Sequence, residues 1–298
     1  MQDCARQRFE STEAKSVQFC TESRMCTVFS TELTSSDIED AQVDSSCIIM
    51  RFFCDMPADR SNTDGAASNL GDSEADPGTN CTDILQSRPE AESGVYWIST
   101  GGQAFQVFCD MDSDGGGWTL VWSYNFTNFG PELTGALTPR PNWTVSEGDV
   151  PISITPPLNE TDFNAVDFWL WSSIGNQQFM VKSTINNWVV CNGSSLVDFT
   201  ASPLNCGIVK IVGNSSCSDI VPIQFYDLGA VNSSHPFGSK GPVLTTGIGL
   251  SIVETSAYYY FRASTVEGVC PAHDPCGTGR CDGHKPDPDM PYGNIYIR

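Results

Sequence analysis

The acidic residues near the C-terminus are the clearest candidates for chemistry in this sequence. The segment CPAHDPCGTGRCDGHKPDPDMPYGN, residues 270–294, combines three cysteines, two histidines and four aspartates. Carboxylate oxygens are the ligands that Ca²⁺ prefers, and extracellular modules bind it weakly, with a Kd of about 10⁻⁴ to 10⁻³ M. We therefore predict a candidate calcium site at Asp282, Asp287 and Asp289. The alternative is a solvated acidic loop that is held by disulfides because it has little core.

A second acidic motif, DMDSDG, imitates the opening of an EF-hand loop. Asp110, Asp112 and Asp114 precede Gly115, as such a loop requires. The loop also needs a bidentate Glu at its twelfth position, and Val121 stands there. We assign no calcium site to this motif.

The sequence gives no support for catalysis or for binding to nucleic acid. The chain contains no G-x-S-x-G, H-E-x-x-H or P-loop pattern, and its three histidines stand apart. The formal net charge of −21 disfavours binding to nucleic acid and to anionic membrane surfaces. The sequence contains no run of 18 apolar residues, so we predict no membrane span. We expect a protein that is not an enzyme.

The cysteines and the N-x-[ST] sequons indicate an extracellular compartment. Thirteen cysteines without any C-x-x-C pair favour disulfides over a zinc site. Sequons predict N-glycosylation in surface loops of a secreted protein. The seven sequons lie at Asn80, Asn125, Asn142, Asn159, Asn192, Asn214 and Asn232.

The beginning of the chain predicts a fragment or a mature form. MQDCARQRFE has no apolar core typical of a signal peptide. The cysteine count is odd, with an N-terminal group of five ahead of Cys81. We expect the unpaired cysteine in that group to have a partner upstream, or to be a free thiol or to form an intermolecular bridge.

Composition divides the chain into three parts. Residues 1–60 are cysteine-rich, residues 61–79 have the small polar composition of a flexible linker, and residues 80–298 form a β-rich domain. Short aromatic or β-branched runs predict strands in the third part, and ETDFNAVDFWLWSSI, residues 160–174, predicts a helix capped by Thr161 or Asp162. The predicted strands are at 94–98, 105–109, 118–124, 178–185, 207–212, 221–228 and 257–264. We predict an α+β fold with short strands and many loops.

One long stretch resembles a known family. Residues 80–124 carry CTDIL, SGVYWI, FQVFCDM and GGGWTLV in the order found at the start of the fibrinogen C-terminal-like domain. The resemblance implies a disulfide between Cys81 and Cys109, worth roughly 3–4 kcal/mol in the chain-entropy model. By their residue types alone, VYWI and FQVF can pair as neighbouring strands inside its loop. Trp118 and Trp122 would lie on one face of the following strand and pack in the core. The last six cysteines allow 15 connectivities: Cys191, Cys206, Cys217, Cys270, Cys276 and Cys281.

Two narrower resemblances concern other segments. WSSIGNQQFMVKSTINNW, residues 171–188, is similar to a divergent branch of fibrinogen-like extracellular proteins in marine invertebrates, including organic-matrix proteins of coral skeletons. SVQFCTESRMCTVFS, residues 16–30, with Cys47 and Cys54, resembles PAN/apple modules, which mediate protein or glycan contacts. A generic disulfide-held cap is the alternative for this N-terminal segment.

Two functions follow as hypotheses. The first is a secreted, acidic matrix glycoprotein with a structural or interaction role, whose partners would be extracellular matrix proteins or glycans and calcium carbonate mineral. The second is a lectin-like recognition protein that binds glycans or acetylated groups, as fibrinogen-like domains often do. Candidate exposed aromatics for the second are Tyr258, Tyr259 and Tyr260, of which at least one must face the core because strand side chains alternate.

Overall fold

The computed structural model divides the chain into two compact units, Met1–Ala66 and Ala67–Arg298. It describes residues 69–126, 136–145, 148–175, 177–192, 196–197, 204–212, 221–226, 241–245, 257–261, 263 and 290–298, together with the backbone of three strands before residue 52. Those three strands belong to the first unit and form an antiparallel sheet in the order β2-β1-β3. They are β1 (Ser16–Cys20), β2 (Cys26–Phe29) and β3 (Cys47–Arg51). The PAN/apple resemblance remains a prediction.

An eight-stranded sheet forms the centre of the second unit. Seven strands follow the order β10-β9-β8-β14-β6-β5-β4, and β7 pairs with β6 outside that path. The strands are β4 (Gly94–Thr100), β5 (Gln103–Asp110), β6 (Trp118–Phe126), β7 (Leu137–Thr138), β8 (Gln178–Ser183), β9 (Trp188–Asn192), β10 (Asn205–Lys210) and β14 (Tyr292–Ile297). The predicted pairing of VYWI with FQVF is confirmed, because β4 and β5 are antiparallel neighbours.

A smaller antiparallel sheet completes the strands of this unit. It has the order β11-β12-β13, with β11 at Gln224–Tyr226, β12 at Val243–Thr245 and β13 at Ala257–Tyr260. Only short helices accompany the two sheets in the described part of the chain. The α+β class is therefore confirmed, with strands dominating. Among these residues, no helix is both long enough and apolar enough to cross a bilayer.

The large sheet has apolar side chains on both of its faces. One face contributes to the main core, where the predicted inward alternation of β5 holds: Val107 and Cys109 are fully buried there and Phe105 packs against it. The opposite face carries a smaller apolar cluster of Trp118, Leu120, Met180, Val190 and Tyr296. This second cluster matters for the site described below.

A β-bulge in β6 corrects the prediction that Trp118 and Trp122 share a face. Ile295 of β14 pairs with Trp122, but the next residue along β14 pairs with Leu120, so Val121 is an extra residue in β6. An extra residue shifts the alternation of a strand by one. Trp118 consequently packs in the smaller cluster and Trp122 in the main core.

Helix α1 (Cys81–Ser87) was not anticipated from the sequence. It begins at Asn80, whose side-chain oxygen accepts a hydrogen bond from the Asp83 N–H at 2.9 Å. This is the usual N-cap geometry, in which the side chain satisfies a backbone donor that the helix leaves unpaired. The helix buries Cys81 and Ile84.

Residues 69–79, the described part of the linker predicted over residues 61–79, pack against the domain and are not a flexible linker. The Gly78 N–H donates to the Trp97 carbonyl at 3.0 Å and so joins this segment to β4. A Cβ atom on Gly78 would lie 2.5 Å from Cγ1 of Ile84. The small residues of this segment therefore serve close packing, a cause that composition alone cannot separate from flexibility.

The helix predicted over residues 160–174 is also wrong for most of its length. The structure has a 3₁₀ turn at Phe168–Leu170 and a single helical turn, α2, at Trp171–Ile174. The N-cap is Asp167, not Thr161 or Asp162. Tertiary contacts prevent the longer helix, because the backbone ahead of the turn forms hydrogen bonds with β6. The Ser123 N–H donates to the Asn164 carbonyl at 2.9 Å, and the Val166 N–H donates to the Val121 carbonyl at 2.8 Å.

Candidate ligand-binding site

Four polar side chains meet on the second face of the large sheet, and we call them the ionic cluster: Asp110, Glu160, Lys182 and Tyr296. Lys182 Nζ lies 2.6 Å from Asp110 Oδ2 and 2.8 Å from Glu160 Oε1. The Tyr296 hydroxyl donates to the same Glu160 oxygen at 2.7 Å. Asp110 and Lys182 are almost fully buried, whereas Glu160 is partly exposed. The buried Lys182 ammonium thus compensates the buried Asp110 carboxylate and also pairs with the more exposed Glu160 carboxylate.

The surroundings move the pKa values of Asp110 and Tyr296 away from neutrality. Burial raises the pKa of Asp110, but the hydrogen bonds from Lys182 and Ser113 outweigh it, so the pKa lies below its ordinary value. Burial, followed by the charge of Glu160, raises the pKa of Tyr296 well above its ordinary value. Neither group can exchange a proton readily near pH 7. Asp110 therefore acts as a fixed negative charge and Tyr296 as a fixed hydrogen-bond donor.

A cavity of about 440 Å³ lies beside the ionic cluster, and we call it the Trp188 pocket. The Trp188 ring lies between the two parts of the site, because Lys182 Nζ is 4.7 Å and Lys210 Nζ 4.2 Å from its centre. Both distances are within the range of cation–π attraction. The pocket is lined by Ser183, Thr184, Trp188, Lys210, Ile211, Val212 and Tyr292.

Much of the polar lining of the pocket is already engaged within the fold. The Thr184 hydroxyl donates to the Tyr292 carbonyl at 3.1 Å and accepts from the Tyr292 N–H at 2.9 Å. The Trp188 indole N–H donates to the Ser183 carbonyl at 2.9 Å. Among the described residues, neither the exposed ammonium of Lys210 nor the hydroxyl of Tyr292 has a hydrogen-bond or ion-pair partner.

The Trp188 pocket consequently offers a ligand an aromatic and aliphatic wall with two polar groups at its edge. Trp188 is half-buried, and Ile211 is 53% exposed. Apolar walls with a few convergent polar groups are typical of small-molecule sites, and the lining of this pocket is about equally polar and apolar. Burial raises the pKa of Tyr292, and the charge of Glu160 adds to this, so its hydroxyl stays protonated and can donate.

The predicted calcium ligands Asp282, Asp287 and Asp289 lie outside the described residues. Within the described ranges, no group of three or more His, Cys, Asp or Glu side chains is placed to hold a metal ion. The EF-hand imitation at Asp110 is a turn, because Asp110 Oδ1 accepts from the Asp112 and Ser113 N–H groups, both at 2.9 Å. Its other oxygen faces Lys182.

Two disulfides are present in the described part of the second unit. One joins Cys81 to Cys109 with a Cα–Cα distance of 5.5 Å, the pair that the fibrinogen resemblance implies. The other joins Cys191 to Cys206 across neighbouring positions of β9 and β10, and this narrows the connectivity that the sequence left open. Cys217, Cys270, Cys276 and Cys281 lie outside the described residues.

The sequons occupy different environments, although their sequence pattern is the same. Asn159 is exposed, whereas Asn80, Asn125, Asn142 and Asn192 are partly buried. Asn125 and Asn192 lie inside the paired strands β6 and β9. Asn214 and Asn232 lie outside the described residues. Of the three candidate tyrosines, Tyr259 is fully buried and is therefore not an exposed contact residue.

Sequence reasoning missed both the ionic cluster and the Trp188 pocket. One signal was available: Lys182 interrupts the apolar run QFMVK in a chain with only 15 lysines and arginines. A lone charge in a strand with buried neighbours requires a partner, since burying an unpaired charge is costly. The identity of those partners depends on strand order, which the sequence pattern does not state.

Comparison with known proteins supports the family resemblance over part of the chain. Residues 77–128 match the family described as the C-terminal globular domain of fibrinogen beta and gamma chains. This match covers the Cys81–Cys109 loop and the strands β4, β5 and β6. The predicted resemblance to the fibrinogen C-terminal domain is thereby confirmed for this stretch.

Individual relatives match over similarly limited lengths. Fibrinogen-like protein A of Apostichopus parvimensis is 35% identical over 99 residues, which are 27% of this chain and 34% of that protein. The fibrinogen alpha-2 chain of Petromyzon marinus is 50% identical over 44 residues, which are 14% of this chain and 7% of that protein. The chain thus spans about a third of the first relative and less than a tenth of the second.

Among solved structures, the fibrinogen-like globe domain of human ANGPTL6 aligns with 74% of this chain and 95% of that domain, at 14% identity and a TM-score of 0.35.

Proposed function

We propose that this chain is a secreted interaction protein whose second unit recognises a small ligand in the Trp188 pocket, in the manner of a lectin. The observation that carries the proposal is the pocket itself, in which a Trp face and the exposed Ile211 side chain adjoin the Lys210 ammonium and the Tyr292 hydroxyl. Neither polar group has a hydrogen-bond or ion-pair partner in the part of the chain that the structure describes. Sugars and acetylated groups combine apolar C–H surfaces with polar edges, so a wall of this kind suits them. The lowered pKa of Asp110 and the raised pKa of Tyr296 also favour binding over proton transfer at these two groups.

A glycan array tests this function, and it is run with and without a calcium chelator. Trp188→Ala removes the wall of the pocket, and we expect a loss of binding of at least tenfold, which corresponds to about 1.4 kcal/mol. Trp169→Ala is the matched control, because Trp169 is 68% exposed and does not line the pocket. Urea unfolding of both variants shows whether either has lost the fold. Equal binding by the two variants would contradict the pocket assignment.

The second candidate function is an acidic component of an extracellular or skeletal matrix. The observation in its favour is the net charge of −21 together with exposed carboxylates on the described surface, among them Asp72, Glu74, Glu90 and Glu92. Such a surface attracts calcium ions at a mineral face and is screened by salt. Adsorption to calcium carbonate crystals that weakens at high salt is expected. A blank glycan array with strong adsorption would favour this role over the lectin role.

We include calcium binding at Asp282, Asp287 and Asp289 in both proposed functions. A carboxylate loop of this composition binds Ca²⁺ with a Kd of about 10⁻⁴ to 10⁻³ M. Isothermal titration of the intact chain with CaCl₂ measures it, and the variant Asp287→Asn with Asp289→Asn is expected to abolish the heat. The same titration of Asp112→Asn serves as the control, because Asp112 lies in the turn that imitates an EF-hand.

A further inference from the structure

The sequons divide into acceptors and structural look-alikes according to what each asparagine amide already binds. An N-glycan is bulky and is carried on the side-chain nitrogen, so the folded protein must leave open space beside that nitrogen. We infer that Asn159 is glycosylated and that Asn80 and Asn142, in spite of their sequons, are not. This inference rests on the proposed secretion of the chain.

Asn80 uses both ends of its amide to hold helix α1. Its Oδ1 accepts from the Asp83 N–H at 2.9 Å, and its Nδ2 donates to the carbonyl of Ile174 at 2.9 Å. Ile174 is almost fully buried at the end of α2. A sugar on Nδ2 would replace one of the two hydrogens of this nitrogen beside the Ile174 carbonyl 2.9 Å away, so we expect a glycan there to disturb the contact between α1 and α2.

Asn142 has the same double engagement in another place. Its Oδ1 accepts from the Phe168 N–H at 2.7 Å and its Nδ2 donates to Asp167 Oδ1 at 3.0 Å. These two bonds fix the start of the 3₁₀ turn at Phe168–Leu170. A sugar on Nδ2 would lie beside Asp167 Oδ1, 3.0 Å away, so we expect a glycan there to disturb this contact.

Asn159 differs in each of these respects. It is exposed on a turn that is closed by the Asp162 N–H donating to the Asn159 carbonyl at 3.3 Å. Its Oδ1 accepts from both the N–H and the hydroxyl of Thr161 at 2.9 Å, which brings the two sequon side chains together. Within the described residues its Nδ2 donates to no group, so this nitrogen is free to carry a glycan.

The turn that presents Asn159 is held firmly beside the ligand-binding face. Glu160, the middle residue of the sequon, is anchored to Lys182 and Tyr296 in the ionic cluster. Phe163 lies 6.3 Å, ring centre to ring centre, from Tyr292 of the Trp188 pocket. A glycan on Asn159 therefore stands close to the pocket, where it would restrict large ligands more than small ones.

Site-resolved mass spectrometry tests the inference on the full chain secreted from eukaryotic cells. Enzymatic removal of N-glycans in H₂¹⁸O labels each occupied asparagine. We expect the label at Asn159 and none at Asn80 or Asn142. Asn159→Gln should remove one glycan mass and leave the urea midpoint unchanged, whereas Asn80→Gln and Asn142→Gln should leave the glycan mass unchanged and lower the midpoint.

The possible outcomes separate this inference from the proposed function. A glycan on Asn80 or Asn142 in the folded, secreted protein would overturn the inference alone. An unoccupied Asn159 beside other occupied sequons would do the same. Absence of glycan from every sequon of the secreted chain would overturn both the inference and the assignment as a secreted glycoprotein.

Discussion

Replacing Lys182 by Met measures how strongly the ionic cluster holds the second unit together. Lys182 and Asp110 are 6% and 3% exposed, and their charged atoms are 2.6 Å apart. Removal of one partner of such a buried pair leaves an uncompensated charge, which typically costs about 3–5 kcal/mol. Glu160, which is 31% exposed, adds less, because a partly exposed pair contributes about 1 kcal/mol or less. We therefore expect a loss of about 3–5 kcal/mol in the free energy of unfolding.

Urea denaturation at pH 7 is the assay, and Lys210→Met is the matched control. Lys210 contacts the same Trp188 ring, and its replacement changes the net charge equally, but Lys210 is exposed and pairs with no carboxylate among the described residues. An exposed cation–π contact is worth about 0.5–1 kcal/mol. If the two variants lose the same stability, the buried pair does not have the role assigned to it.

The pH dependence of the Lys182→Met variant provides a second check on the same argument. The pKa of Asp110 is lowered below 3.8 in the folded protein, so its contribution to stability is complete above that value and is lost as the pH falls through the folded pKa. In the variant, burial still raises the pKa of Asp110, and the hydrogen bonds from Ser113 lower it without the hydrogen bond from Lys182. Protonation of Asp110 removes the need for a partner, and the stability gap between variant and wild type should narrow below about pH 4. A gap that widens in acid would refute this explanation.

Three further variants test the backbone and the Cys81–Cys109 disulfide. Gly116→Ala should cost about 3 kcal/mol or more by urea unfolding, because the residue has φ of 72° and its Cβ would lie 2.1 Å from the Met111 carbonyl oxygen. Gly101→Ala, with φ of 63° and open space around it, should cost only about 1–2 kcal/mol. Cys81→Ala combined with Cys109→Ala should lower the free energy of unfolding by about 3–4 kcal/mol, measured against the oxidised wild type. A Gly116 variant as stable as the Gly101 variant would show that the turn can rearrange.

Local patterns were sufficient to predict three neighbouring strands of the second unit, β4, β5 and β6. The strands β4, β5 and β6 are contiguous in sequence and are joined by short turns, so alternation and glycine positions specify them directly. The pairing of β4 with β5 and the inward face of β5 followed from those patterns. The bulge at Val121 did not, because it depends on the pairing partner β14, which lies at the other end of the chain.

The strand β14 shows why the rest of the sheet was not predicted. YGNIYI contains glycine and asparagine, which are depleted in strands, and the surrounding composition gives no alternating pattern. Its position between β6 and β8 supplies backbone hydrogen bonds on both sides, and this outweighs the weak local preference. Ile295 and Ile297 are buried in the main core, while Tyr296 faces the other way into the smaller cluster.

The candidate site depends on this same strand, and this explains why no linear motif marks it. Tyr292 begins β14 and lines the Trp188 pocket, whereas Tyr296, four residues later, belongs to the ionic cluster. Lys182 on the neighbouring strand β8 contacts the rings of both Tyr296 and Trp188. Because β14 pairs with β8 over five consecutive positions, the register that buries Ile295 also sets the spacing between the pocket and the ionic cluster. A shift of that register by one residue would therefore damage the core and the site together, since it turns every side chain of the strand to the opposite face.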